Sequence, residues 1–293
     1  MEYLIHLAIL ISIYGILGLG LNLVVGYTGL LSVTQAAFYG LGAYTTGILL
    51  TTFPNSPFFG NFFISVLMGA LIAGIFSLLI GFVLSKFKDD YYALGSFGFN
   101  IIIYSIFLNW QGLTRGPLGI PGITRPSVFG FALSENFWFL ILSLIVLGLV
   151  FLLCQYIGRS SFGRVLKAIR EDDQAIEVFG YHTLVYKLAI FVIGAMIASV
   201  GGSLFASYIT FIDPSSFALM ESIFILAIII LGGLASNRGA VLGAAFLILL
   251  PEILRFVGFP SEIAAQMRQV VYGLILILLM LYRPQGLVGE YRL

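Results

Sequence analysis

Apolar stretches near or above about 18 residues, the length a helix needs to cross a bilayer, recur from "YLIHLAILISIYGILGLGLNLVV" at the start of the chain to "IAAQMRQVVYGLILILLMLY" near its end. In hydrocarbon every backbone polar group must be satisfied within the protein, so such a chain spans as helices or as a closed barrel. The runs are continuous and do not alternate in short segments, which selects helices. Composition agrees: 60% of the 293 residues are apolar and 9% are charged, against about a quarter charged in a soluble domain. A soluble enzyme is excluded. Fourteen Lys and Arg against thirteen Asp and Glu give a net charge of +1, too little basic surface to neutralise a nucleic-acid backbone. Cys154 lies inside an apolar run; a single cysteine forms no intrachain disulfide and no multi-cysteine metal site. The opening "MEYLIHLAIL" has no basic leader and its apolar stretch runs on to Val25, so it reads as a first membrane helix and not as a cleaved signal.

Cutting the chain at Pro, Asn, Gly and charge clusters leaves about nine segments (eight to ten), near 3 to 24, 33 to 52, 61 to 85, 93 to 109, 135 to 157, 186 to 208, 217 to 234, 240 to 257 and 263 to 282. The expected fold is an all-α polytopic membrane bundle, a single transmembrane domain over residues 1–293. Only residues 110 to 134 and 158 to 185 form links long enough to work outside the bilayer. Residues 158 to 187 hold Arg159, Arg164, Lys167, Arg170 and Lys187 with Glu171, Asp172, Asp173 and Glu177, nine of the chain's 27 charged groups. Lys and Arg in short loops mark the cytoplasmic side. That choice also puts Lys86, Lys88, Arg238 and the tail from Arg283 to Arg292 inside, with the N-terminus and the proline-rich links outside; Arg115 and Arg125 run against it.

Within "GRSSFGRVLKAIREDDQAIEVFG", Val165, Ile169, Ile176 and Phe179 recur at helical spacing, which predicts an amphipathic helix of about four turns broken near Gly180. A plain topogenic linker has no need of an apolar stripe, whereas a helix docking into a groove on a soluble partner does. No GxxxxGK[ST] sequence occurs, so driving energy would have to come from that partner.

Two further stretches are unsuited to lipid-facing helix. "VGYTGLLSVTQAAF" crowds Gly26, Thr28, Gly29, Ser32, Thr34 and Gln35 together, and "YITFIDPSSFALMES" holds Asp213, Pro214, Ser215, Ser216, Glu221 and Ser222. Irregular backbone at membrane depth lines a wet cavity or is covered by protein. Two such elements on opposite sides suggest an inverted repeat, roughly 3 to 109 against 186 to 282, enclosing a path lined by Gly26, Thr28, Ser32, Gln35, Ser96, Asn100, Glu221 and Ser222. Intramembrane carboxylates or histidines that would bind coupling ions are scarce, which counts against secondary transport. A passive channel has no use for the amphipathic charged helix, and no Ser/His, paired-Asp or His-cluster arrangement supports an intramembrane enzyme.

"REDDQAIEVFGYHTLVYKL" resembles the coupling loop of bacterial ABC importer permeases, in the version found in branched-chain amino acid permeases of the LivM type. "LNLVVGYTGLL", "AAFYGLGAY", "TRGPLGI", "FIDPSSFALMESIFILAIIILGG" and "LLPEILR" are similar to that family in the same order, over nearly the whole chain. The resemblance implies a multi-pass subunit of the bacterial inner membrane with no cofactor of its own. It would pair with a second, LivH-like permease, dock two cytoplasmic ABC ATPase subunits and receive branched-chain or similar hydrophobic amino acids from an external binding protein. Uptake of urea or short amides is the alternative within the family. Glu171, Asp172, Ala175 and Gly180 fall on the family's coupling motif, and Gly163 with Arg164 on the Gly-Arg just before it, which the resemblance assigns to ATPase coupling. The fourth segment departs from it: where relatives often carry a threonine, a glutamate and an arginine, this chain has Ser96, Ile101 and Tyr104.

Overall fold

A computed structural model describes residues 2–255 apart from 54–55, 57–59, 88–89, 129–130 and 133–134, together with scattered positions between 270 and 288. Most of the ninth expected segment, Lys88, Arg283 and Arg292 lie outside the described residues. The helices are α1 (Glu2–Leu21, continued by a π-helical turn, Asn22–Gly26), α2 (Gln35–Thr52), α3 (Phe62–Leu84), α4 (Asp90–Asn109), α5 (Gln111–Thr114), α6 (Asn136–Arg159), α7 (Ser161–Glu171), α8 (Asp173–Val178), α9 (Thr183–Ile209), α10 (Leu219–Gly232) and α11 (Asn237–Arg255). Four two-residue strands, β1 (Ile120–Pro121), β2 (Ser127–Val128), β3 (Phe131–Ala132) and β4 (Phe211–Ile212), pair antiparallel as β1–β4 and β2–β3.

Five of these helical spans are long and apolar enough to cross a membrane, and a sixth is formed if α10 and α11, bent by 119° at their junction, count as one. The chain is a multi-pass membrane protein. The nine-span count is not reached among the described residues. Two of the expected segments are the arms of the bent pair, and α2, diluted by Gln35, Thr45, Thr46, Thr51 and Thr52, is an interior helix and not an independent apolar span.

The centre of the bundle is built by α1 and α9, whose spans are 61% buried, against 28% for α4 and α6 at the periphery. Small residues let these helices approach to backbone contact, the usual means of packing where lipid removes the hydrophobic drive. A Cβ on Gly42 of α2 would lie 2.0 Å from the Ser199 carbonyl oxygen of α9, and one on Gly202 of α9 would lie 1.9 Å from the Tyr39 carbonyl oxygen of α2. Thr46 donates to Ser203 at 2.8 Å across the same seam.

The ends of the bundle are fixed by three contacts. His6, near the start of α1, lies 2.6 Å from the Tyr208 hydroxyl near the end of α9, and Ile120 pairs with Ile212, so these segments share one end. α9 has 27 residues, about 40 Å of helix, and carries the chain from the charged loop to that end. At the charged-loop end, the Asn22 side chain accepts from Ala235 N at 2.9 Å and donates to Asn237 at 3.3 Å, tying the π turn after α1 to the break between α10 and α11. The two irregular stretches, 27–34 and 210–218, therefore stand at opposite ends, as an inverted repeat requires.

Candidate functional site

α1 runs from the His6 end to the charged-loop end, after which the chain turns back and α2 begins at Gln35, whose Nε2 donates to the Leu17 carbonyl at 3.1 Å. α9 runs the other way. Beyond its end the chain turns back through Asp213–Phe217 and α10 begins within the bundle, where Tyr14 of α1 donates to the Glu221 carboxylate at 2.5 Å. Two helices thus start inside the bundle, at the level of Tyr14 to Leu17, and run towards opposite ends. With 14 residues, α10 is about 21 Å long, too short to span alone.

The first turn of a helix leaves N–H groups without partners, and here one is satisfied from the facing half-helix: Ala36 N donates to the Ser222 hydroxyl at 2.8 Å. Asn100 of α4 closes the junction, donating through Nδ2 to Ser222 at 2.6 Å and to the Val33 carbonyl at 2.7 Å. Ser96, one turn earlier, accepts from Val33 N at 3.0 Å. Ser96, Asn100 and Ser222 are all fully buried. Of the eight residues expected to line a path, these three converge with Gln35 on one junction. Glu221 sits beside it in the first turn of α10, accepting from Tyr14. Ser32 bonds Thr34 at 2.9 Å, while Thr28 donates to the Val24 carbonyl at 2.7 Å. Gly26 and Thr28 lie at the charged-loop end, away from that junction. Outside the membrane spans, burial pushes the Asp213 carboxyl up, but bonds from the Ser215 hydroxyl and backbone and from Ser216 outweigh it and hold the group below its ordinary value.

The charged loop differs from the single four-turn helix the sequence predicts. It is two helices, α7 and α8, broken at Asp172, which is extended (φ −155°, ψ 103°) and caps α8 by accepting from Ala175 N at 3.0 Å. Aspartate at an N-cap satisfies an orphan donor, which makes the break stable. Gly180 follows at φ +88°, and Glu171 is exposed. Gly163 is buried where a Cβ would meet the Ile157 carbonyl oxygen at 2.4 Å, and Arg164 donates to the Arg159 carbonyl at 3.1 Å. The expected apolar stripe divides. Of its four residues, Ile169 is buried, Val165 and Ile176 are half-buried and Phe179 is 78% exposed; outside the predicted set, Leu166 is buried and Val178 is 87% exposed. Beside Val178 and Phe179 opens a cleft of about 690 Å³ lined by Asp90, Glu171, Asp172, Asp173 and Glu177 with Arg170 and Lys187; Lys187 is paired with Asp173. An apolar tip next to an acid-rich cleft suits a partner that presents an apolar groove with basic side chains at its rim.

The family described as "branched-chain amino acid transport system / permease component" matches residues 3–280. The chain belongs to this permease family. It is 33% identical to the high-affinity branched-chain amino acid transport system permease protein LivM of Escherichia coli (strain K12), and 32% identical to its namesake from Salmonella typhimurium. Each alignment covers 98% of this chain and 70% of the relative. It is also 24% identical to the permease protein LivH of Salmonella typhimurium, over 95% of this chain and 92% of that one. No solved structure matches.

Within this permease, Ile101 is 42% exposed and borders an open groove with Ile102, Ser105, Ile106, Asn109 and Trp110, turned away from the Asn100 junction. Position 101 therefore faces the outside of the subunit. Sequence reasoning missed Asn22, Tyr14 and Arg170. Asn22 left a usable signal, a lone amide inside an apolar run; Tyr14 and Arg170 left none, because their partners lie 207 and 144 positions away.

Proposed function

We propose that this permease is the membrane-spanning subunit of an ATP-driven importer, passing branched-chain or similar hydrophobic amino acids delivered by an external binding protein. It pairs with a second, LivH-like permease in the bacterial inner membrane and docks two cytoplasmic ABC ATPase subunits on the loop around 158–187. The family match over residues 3–280 carries this reading. The junction of Gln35, Ser96, Asn100, Glu221 and Ser222 is the closed middle of the path, and Gly26, Thr28 and Ser32 border its inner exit.

In the reconstituted complex, Glu221→Gln, Ser96→Ala and Asn100→Ala each lower the maximal uptake rate severalfold without changing the order in which solutes compete. Ser96→Ala and Asn100→Ala leave buried partners unpaired at a cost of about 1–3 kcal/mol, and Glu221→Gln puts an amide in place of the carboxyl that accepts from Tyr14, while discrimination is supplied by the binding protein before the path opens. A changed order of competing amino acids in any single variant would make the junction a selectivity filter and reject this mechanism. Uptake of urea but not leucine would replace the amino acid assignment.

Orientation follows from the same reading, with the charged loop inside. Leu118, 82% exposed in the outer link, and Gln174, exposed on α8, are suitable reporters. Introduced as cysteines in a Cys154→Ser background, they label with a membrane-impermeant reagent from opposite sides, Leu118→Cys from outside. Labelling of both from one side would overturn the topology.

A further inference from the structure

α1 ends in a π turn whose Val24 and Val25 carbonyls are met locally, by Tyr27 N and the Thr28 hydroxyl and by Gly29 N, while the Gly26 carbonyl is met from outside the turn, and cations are favoured at such C-termini. The cation here comes from the charged loop: the Arg170 guanidinium of α7 donates to the Gly26 carbonyl. The contact extends further. The Arg170 stem lies over Gly29, whose φ is +75° and where a Cβ would sit 3.2 Å from Arg170 Cγ. One turn back on α7, the Lys167 ammonium stands 5.4 Å over the ring of Tyr27. Tyr27 is itself buried, its hydroxyl packed where a Cβ on Gly158 would lie 2.3 Å away. So two successive positions of α7 grip residues 26–29. From there only Leu30, Leu31 and Ser32 separate Gly29 from Val33, whose N–H and carbonyl are held by Ser96 and Asn100, and Ala36 follows, held by Ser222.

We propose that Arg170, seconded by Lys167, is the positioning residue that carries motion of the cytoplasmic loop into the path, by moving the stretch 26–36 with α7 as one body. This rests on the importer reading of the protein. A movement of α7 driven by a docked ATPase pulls on the Gly26 carbonyl and Gly29, and the pull reaches the Asn100–Ser222 junction through a short, bonded segment. Motion in that segment opens the place where the two half-helices begin. The alternative is a cap that only stabilises the end of α1. The two roles separate in the ratio of solute transported to ATP hydrolysed, because a lost cap lowers both together.

The test uses the complete importer in proteoliposomes, with leucine uptake and ATP hydrolysis measured on the same preparation. Arg170→Ala is expected to assemble with the ATPases and to keep most of the hydrolysis stimulated by loaded binding protein, while uptake per ATP falls by about tenfold or more. Arg170→Lys, which keeps the charge, recovers part of that ratio. Equal losses of uptake and hydrolysis, or no loss of either, would overturn the proposal. A second measurement leaves Arg170 in place and reads each preparation against itself: in Tyr27→Cys with Lys167→Cys, joining the pair by a short bifunctional thiol reagent is expected to leave uptake no lower than before cross-linking, because the two segments move together. Abolished uptake after cross-linking, restored by cleaving the linker, would show that α7 must slide over residues 26–29, contrary to the proposal. A wild-type complex without ATP-driven uptake would instead remove the importer reading on which both rest.

Discussion

Gly202→Leu is expected to leave no folded permease in the membrane, and Gly202→Ala to lower its thermal unfolding midpoint sharply. The first side-chain carbon at this position would lie 1.9 Å from the Tyr39 carbonyl oxygen and 2.9 Å from Ala43 N, so α2 and α9 would have to part by more than about an ångström. Overpacking costs about 1–3 kcal/mol where side chains can shift. Here the obstacle is helix backbone on both sides, and the separation would also break the Thr46–Ser203 bond and lift α2 from its seat at the half-helix junction. Gly98→Ala is the control, since a Cβ there meets nothing within 4 Å. Size-exclusion chromatography of a detergent-solubilised fluorescent fusion would check both. Gly202→Ala unfolding at the wild-type temperature would mean that α2 and α9 are not in backbone contact.

Much of this arrangement was legible in the sequence, for physical reasons that differ from place to place. The two irregular stretches announced themselves because glycines, serines and carboxylates are costly at membrane depth unless protein covers them. Their opposite placement followed from span counting, and in the structure it holds for 27–34 and 210–218. The junction itself was legible as composition and not as contact. Ser96, Asn100, Ser222 and Gln35 stood out as polar groups in apolar surroundings, but nothing local says that Ser222 serves the N-terminus of α2.

The charged loop shows where periodicity misleads. Ile169 and Ile176 are seven positions apart, two turns of helix, so the apolar stripe stays in phase across the break at Asp172 and hides it. A cue was present: Asp172 and Asp173 in succession suit an N-cap and the first turn after it. Arg170 reads on its own helix as one more solvated charge, and its contact with Gly26 is a tertiary fact with no sequence signature. Ile101 illustrates the reverse case. A missing charge was suggested by resemblance, but only the structure turns that position to the outside of the subunit, away from the Asn100 junction.

Charging the exposed tip of α8 is expected to separate the permease from its ATPases without unfolding it. Val178 and Phe179 are 87% and 78% exposed, so Val178→Asp with Phe179→Asp removes little packing within this chain and places no new charge in its core. On the proposed reading, apolar side chains held at the end of a capped helix, beside a cleft lined by Asp90, Glu171 and Glu177, would anchor a groove on the ATPase. Burying each such side chain is worth about 1.5–3 kcal/mol, so losing both corresponds to about a hundredfold to ten-thousandfold in affinity. The double variant should therefore accumulate and unfold like the wild type, fail to copurify with the ATPases, and show leucine uptake at background. Gln174→Ala, exposed on the same helix, should leave copurification unchanged. If the double variant still held the ATPases at wild-type stoichiometry, docking would lie elsewhere on the loop, and the division of labour drawn here, with α8 gripping the motor and Arg170 on α7 gripping the path, would lose its first half.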